Sequence, residues 1–216
     1  MKIAVPVIDD AASVRSSIES SVVRNNATHR VKGGPSGPPF LVSENIYVIL
    51  LPMITKEQFI QSLVHELNII KHLAEKVDAT KLDYKPTPAQ RSTLELMQYL
   101  GHTFQTAITS YIAGDQNVYI ELSKNKDLVT FENFQEKMDE QIKFAKESIF
   151  ALTEEEMKRE STIWGNSAPL AMHLMSALKN AVAYKMQLFL YIKASGNDKI
   201  GTSNVWAGRD LPPKEE

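Results

Sequence analysis

From Met53 onward the apolar residues recur at helical spacing, and four stretches carry the pattern. In the first, about Lys56 to Val77, the residues Leu63, Leu67, Ile70, Ala74 and Val77 share one sector at about 100° per residue, with Phe59 and Ile60 at its edges. Thr55, with Gln58 three positions on, has the spacing of a capping box at its start. Ser92 and Glu95 repeat that spacing before a second helix reaching about Ile112, striped by Leu94, Met97, Leu100, Gly101, Phe104, Ile108 and Tyr111. Gly114-Asp115 ends it. Thr130 reads as the N-cap of a third helix, in which Phe131, Phe134, Met138, Ile142, Ala145, Ile149 and Leu152 step by threes and fours.

The fourth stretch, Ala168 to Gly196, is apolar on nearly every face, the pattern of a helix near the middle of a bundle. Asn166 or Ser167 serves as its cap, Pro169 falls in its first turn, and Gly196 ends it. Along one seam it carries His173, Asn180, Tyr184 and Gln187, at steps of seven, four and three. Polar groups on a buried helix need partners, so any chemistry is expected on this seam. Four helices without a convincing strand predict an all-α fold, a four-helix bundle. The connections from second to third and third to fourth helix are long enough for crossover topology.

Flanking segments read differently. Residues 1–52 combine a Ser/Asn/Arg-rich patch with KGGPSGPPF and sustain neither period, which predicts a disordered or loosely attached segment. One expectation is that Met53 is the physiological start. The tail 197–216 is expected to be irregular, with Trp206 folding back onto the bundle. The bundle domain therefore spans 53–196.

Charge and composition narrow the function classes. Twenty-four Lys and Arg stand against 26 Asp and Glu, for a net charge of −2, so nucleic acid and acidic membranes are not expected as partners. The absence of cysteine removes disulfides, thiolate nucleophiles and Cys-type zinc sites. The opening MKIAVPVIDD is too short for a signal-peptide core, and the apolar run Ile46 to Ile54 is interrupted by Pro52. The expectation is a soluble, cytoplasmic protein.

Specific motifs are few. GGPSG lacks the following Gly-Lys-Ser/Thr of a phosphate loop, and His65-Glu66 lacks the second histidine of a zincin, Ile69 standing there instead. His65 and His72 lie opposite the apolar sector of the first helix and read as solvated, whereas Glu66 lies near its boundary and could face the bundle. Asp139 and Lys143 can pair across one turn, and Glu154 to Glu156 read as an exposed turn. His102 sits beside the stripe of the second helix.

The proline-containing link, RSTLELMQYLGH and a last helix ending YKMQLFLYIKASG together resemble the DinB-like superfamily of bacterial four-helix bundles, over about Met53 to Gly196. The resemblance implies a divalent metal held by three histidines: one on the second helix, and two four apart on the last, in a segment like His-x-x-x-His-Arg-Gly-Gln. His102 matches the first. The other two positions hold Asn180 and Tyr184, and Lys185, Met186 and Gln187 stand where Arg, Gly and Gln would be.

Only one of three ligands is kept. A carboxamide is a poor ligand for zinc or nickel, and a phenol must first lose a proton with an unperturbed pKa of about 10. The three side chains are instead expected to hydrogen-bond to one another, to Gln187 and to water. His173, about 10 Å along the helix from Asn180, could join His102 only in a relocated site, with Glu66 or His65. The reading is a bundle of unknown specific activity with a degenerate metal triad, serving as a small-ligand pocket or vestigial. No cofactor is expected, with nickel or zinc the candidates if the altered site still binds metal. The alternatives are a metal-dependent thiol transferase or hydrolase-like enzyme, and a non-catalytic homodimer.

Overall fold

The computed structural model describes residues 54–212. The expectations for residues 1–52 and for Met53 lie outside the described residues. Four long helices form the body: α1 (Lys56–Ala74), α2 (Thr93–Ala113), α4 (Phe134–Phe150) and α6 (Leu170–Ala194). Between and after them come α3 (Gln116–Leu122), α5 (Glu154–Lys158) and α7 (Thr202–Ala207). Thr55 and Ser92 cap α1 and α2 by reciprocal exchange with Gln58 and Glu95, as their spacing predicts, and each such cap stabilises a helix by about 1 kcal/mol. Gly114 closes α2 in the left-handed region, at φ 69°.

The helices pack around a square. α1 and α2 each touch α4 and α6, so α1 lies diagonal to α2, and α4 to α6. Hydrogen bonds at the ends set the directions. Lys56, at the start of α1, donates to the Phe150 and Leu152 carbonyls at 2.7 and 2.8 Å, while Gln135, at the start of α4, donates to Lys71 O at 2.9 Å. These two helices are antiparallel. Asn197, just past α6, donates to Lys76 O just past α1, at 3.2 Å, so α1 and α6 run parallel. Arg159 beyond α4 bonds Ile112 O in the last turn of α2, so those two are also parallel. The order is up, down, down, up.

Because α2 and α4 are parallel neighbours, the chain between them must return along the bundle. It does so through α3 and a 3-10 segment, Ser123–Leu128. Val129, directly after that segment, is buried against Gly101, where an added Cβ would come within 2.5 Å of Val129 Cγ1. Gly101 is therefore required by the crossover that packs on α2. Within the square, Leu63, Leu67, Ile70, Leu100, Ile108 and Leu188 are fully enclosed, each contributing roughly 1.5–3 kcal/mol by burial.

Several expectations are corrected. Glu160–Ile163 and Asn166–Pro169 form an antiparallel hairpin, so the fold is not free of strand, and α6 starts at Leu170, not Ala168. Trp164 and Gly165 make the two-residue turn of this hairpin, both at positive φ, 48° and 74°. Asn166 and Ser167 thus pair as strand and do not cap α6. Thr130 exchanges hydrogen bonds with Asn133 in a turn ahead of α4, whose N-cap is Asn133. Glu154 to Glu156 form the first turn of α5, capped by Thr153. Asp139 pairs with Lys71 of α1 in preference to Lys143.

Two further differences concern surroundings. The tail is not irregular throughout, because α7 lies in it and packs on α1. His72, expected to be solvated, is covered there: its side chain is 14% exposed and Asn204 Nδ2 approaches its Nε2 at 3.1 Å. His65 is exposed as expected. α6 is apolar all round but not enclosed all round, since Met172, Val182 and Leu190 face outward.

Candidate functional site

His102 lies midway along α2, half-buried. Its Nδ1 is 2.8 Å from Gln98 O. A carbonyl only accepts, so the proton is assigned to Nδ1, leaving the lone pair of Nε2 with no partner among the described residues. Burial lowers the imidazole pKa below its usual value; the Gln98 carbonyl opposes this, and the charges of Lys126 and Arg91 add to the lowering. His102 is thus held neutral, a base and acceptor among cations.

The helix around it is braced from α4. Gln141, buried, accepts the Phe104 N–H at 2.9 Å and donates to Leu100 O at 2.9 Å. Those are the i and i−4 groups of one turn of α2, so the amide spans the helix backbone at His102. Gly101, with Val129 against it, is in the same turn.

Tyr184 on α6 meets Tyr99 on α2 with ring centroids 4.7 Å apart, and His102 lies edge-on to Tyr99 at 5.9 Å. Arg91 covers the Tyr99 ring at 4.3 Å. Burial raises the Tyr99 phenol far above its ordinary range, so it remains a proton donor at any physiological pH. One turn on, Thr103 Oγ1 and Tyr119 Oη of α3 share a hydrogen bond at 3.1 Å. The result is a half-buried cluster of phenols and one imidazole nitrogen with no partner among the described residues.

The other seam residues do not all converge there. Asn180, one turn before Tyr184 and half-buried, makes no side-chain hydrogen bond among the described residues. Gln187 turns toward Tyr191, donating to its hydroxyl at 3.2 Å, and that hydroxyl donates to Arg91 O at 3.0 Å. His173 stacks on Tyr111 at 5.6 Å and approaches Ser161 O of the hairpin at 3.1 Å. The expected network joining His102, Asn180, Tyr184 and Gln187 is therefore split between separate partners. His173 and Glu66 do not meet in a relocated site either.

Glu66 does face the bundle, and there it meets Lys185. The Lys185 side chain is 1% exposed, and its Nζ lies 2.6 Å from Glu66 Oε2. Neither atom has a hydrogen bond of good angle, so the contact is held by charge and by the Trp206 ring, 5.0 Å from Nζ. Trp206 does fold back onto the bundle. Reading the last helix by its seam misses Lys185, although a signal existed: Ala177, Ala181, Lys185, Leu188 and Ile192 step by fours and threes, and all are buried. A lysine in a core stripe requires an acid opposite it.

The positions equivalent by resemblance to a metal triad offer one imidazole, one carboxamide and one phenol. Among the described residues no group of three or more His, Asp or Glu is placed to hold a metal ion. The donor set does not fit a zinc or nickel centre of the kind the resemblance implies. No described helix is long and apolar enough to cross a membrane.

No protein-family model matches the chain, and a search of curated proteins finds no match. A crystal structure of a DinB-like protein, YjoA, from Bacillus subtilis is similar to it, with a TM-score of 0.54 and 20% sequence identity over 67% of this chain and 96% of that chain. The fold implied by RSTLELMQYLGH and YKMQLFLYIKASG is accordingly the fold observed: this chain is a helical bundle with the fold of that DinB-like protein.

Proposed function

We propose that this protein is a DinB-like bundle without the family's metal chemistry, whose His102–Tyr99–Tyr184 cluster binds a small polar molecule directly. The observation that carries the reading is the state of His102. Its Nδ1 is fixed by Gln98, its Nε2 has no partner among the described residues, and burial together with Lys126 and Arg91 keeps it neutral. Tyr99 beside it stays a donor. A ligand offering both a donor and an acceptor would bond to Nε2 and to a phenol, and Arg91 could add charge if the ligand is acidic. Tyr184 occupies the place of an implied ligand and packs on Tyr99, which replaces coordination by aromatic contact.

Metal content tests the first half. Untagged protein incubated with nickel or zinc and dialysed is expected to retain far less than one ion per chain; near-stoichiometric metal lost on His102→Ala would sink the reading. A thermal-shift screen of small polar metabolites tests the second half, with hits expected to vanish in His102→Ala and in Tyr99→Phe. If hits persist in both variants, the ligand binds elsewhere.

A further inference from the structure

We propose that a cavity at the end of the bundle, where α1 finishes and α2 and α4 begin, binds a small organic ammonium ion carrying an apolar group. The cavity measures about 370 Å³. Its floor is made of Ala74, Met97 and Phe134, each at least 96% buried, with half-buried Phe131 as a wall. That is room for a compact ring or a short branched chain, at the small end of ligand sites. Methionine sulfur and two phenyl rings are polarizable surfaces, and a phenyl face attracts a cation.

The rim supplies negative charge from two chain segments. Glu75 is the C-cap of α1, and Glu132 stands in the turn before α4; both line the opening and both are exposed. Hydrogen bonds from its own backbone and from Thr130 hold the Glu132 carboxyl below its usual range, so it is anionic at neutral pH. The C-terminal end of α1 adds the negative pole of a helix five turns long to the same opening. The neighbouring lysines are already engaged, Lys71 with Asp139 and Lys76 with Asp210 at 2.7 Å, and the basic group nearest Glu75 is His72, whose Nδ1 lies 3.8 Å from Oε2. Gln135 is oriented by its bond to Lys71 O, which uses one of its two amide N–H groups and leaves its carbonyl oxygen as a further acceptor at the cavity. An apolar floor under a rim bearing two carboxylates selects a molecule with an apolar body and a cationic head, and disfavours an anion of equal size.

This site is separate from the His102 cluster, because Met97 faces the core side of α2 and the Tyr99 side chain does not line the cavity. The test uses the full chain with methionine methyl groups isotopically labelled, the Met97 signal being assigned through Met97→Leu. Three probes of matched size are titrated: phenethylammonium, 2-phenylethanol and 3-phenylpropionate. The amine is expected to shift the Met97 methyl and to bind about tenfold or more tightly than the alcohol, with the carboxylate weakest. In the double variant Glu75→Gln with Glu132→Gln, the amine is expected to fall to within about twofold of the alcohol, whose own affinity stays unchanged. His102→Ala should alter none of this. Equal binding of amine and alcohol in the unaltered protein, or amine binding without a Met97 shift, would overturn the proposal. Both glutamates are exposed, so their replacement leaves the fold intact and the result readable.

Discussion

The two buried sides of α6 handle polar residues in opposite ways. Toward α1, Lys185 is enclosed with Glu66 and roofed by Trp206, a closed pair with a net charge of zero. Toward α2, Tyr184 joins Tyr99 and His102 in a neutral, half-open cluster beneath Arg91. These residues are consecutive, Tyr184 and Lys185, and one step of about 100° sends them to different neighbours. The enclosed pair has no capacity left for a ligand, because each charge is consumed by the other. The half-open side retains phenolic donors and, in His102 Nε2, an acceptor with no partner among the described residues, and it is there that we propose recognition.

The contrast can be broken most strongly at the enclosed side. Lys185→Met leaves Glu66 as an uncompensated carboxylate and is expected to cost on the order of 3 kcal/mol in urea unfolding. Adding Glu66→Leu should restore most of that loss; if the single variant unfolds like the unaltered protein, the pair is not a buried unit. On the half-open side, the double variant Asn180→His with Tyr184→His supplies the two imidazoles that the resemblance calls for. Zinc affinity, measured by chelator competition, is expected to rise at least about a hundredfold, equivalent to about 2.7 kcal/mol. No gain would mean that the three positions do not converge.

A smaller effect is expected at Gly101, where the crossover presses on the helix bearing His102. Gly101→Ala should cost about 1–3 kcal/mol, because Val129 must move, and Val129→Ala in the same chain should recover part of it. Full tolerance of alanine would show that the crossover yields freely. The smallest effect concerns pH. His102 has a folded-state pKa below its unfolded value of about 6.5. Its neutral form therefore contributes stability that is fully present above about pH 6.5 and is lost as pH falls through the lower folded value. Denaturation at pH 7.5 and pH 5 should show this loss, and His102→Gln should reduce it; an unchanged difference would assign the pH response to other groups.

Much of the architecture was legible because helices report themselves locally. The capping pairs Thr55-Gln58 and Ser92-Glu95 and the stripes of α1, α2 and α4 need only neighbours within a few positions. The hairpin was not legible, since its strands are four residues each and their pairing is a contact between two weak signals. α7 was missed for a similar reason: six residues cannot make a stable helix alone, and this one depends on its seat against α1. Within the candidate site, His102 and Tyr184 could be picked out from the seam and the motif. Tyr99, Arg91 and Gln141 could not, because their roles exist only across α2, α4 and α6.

The sequence by itself determined three amphipathic helices and one apolar on nearly every face, the absence of cysteine, and Asn180 and Tyr184 at the two positions where the resemblance implies histidines, all properties of residue type and spacing. Only the tertiary structure decided what each polar group faces. Packing placed Glu66 against Lys185, turned Gln187 to Tyr191, carried His173 to the hairpin and left His102 beside Tyr99. A polar side chain on a helix has a direction fixed by its own backbone, but its partner comes from another element whose position follows from burying the whole core.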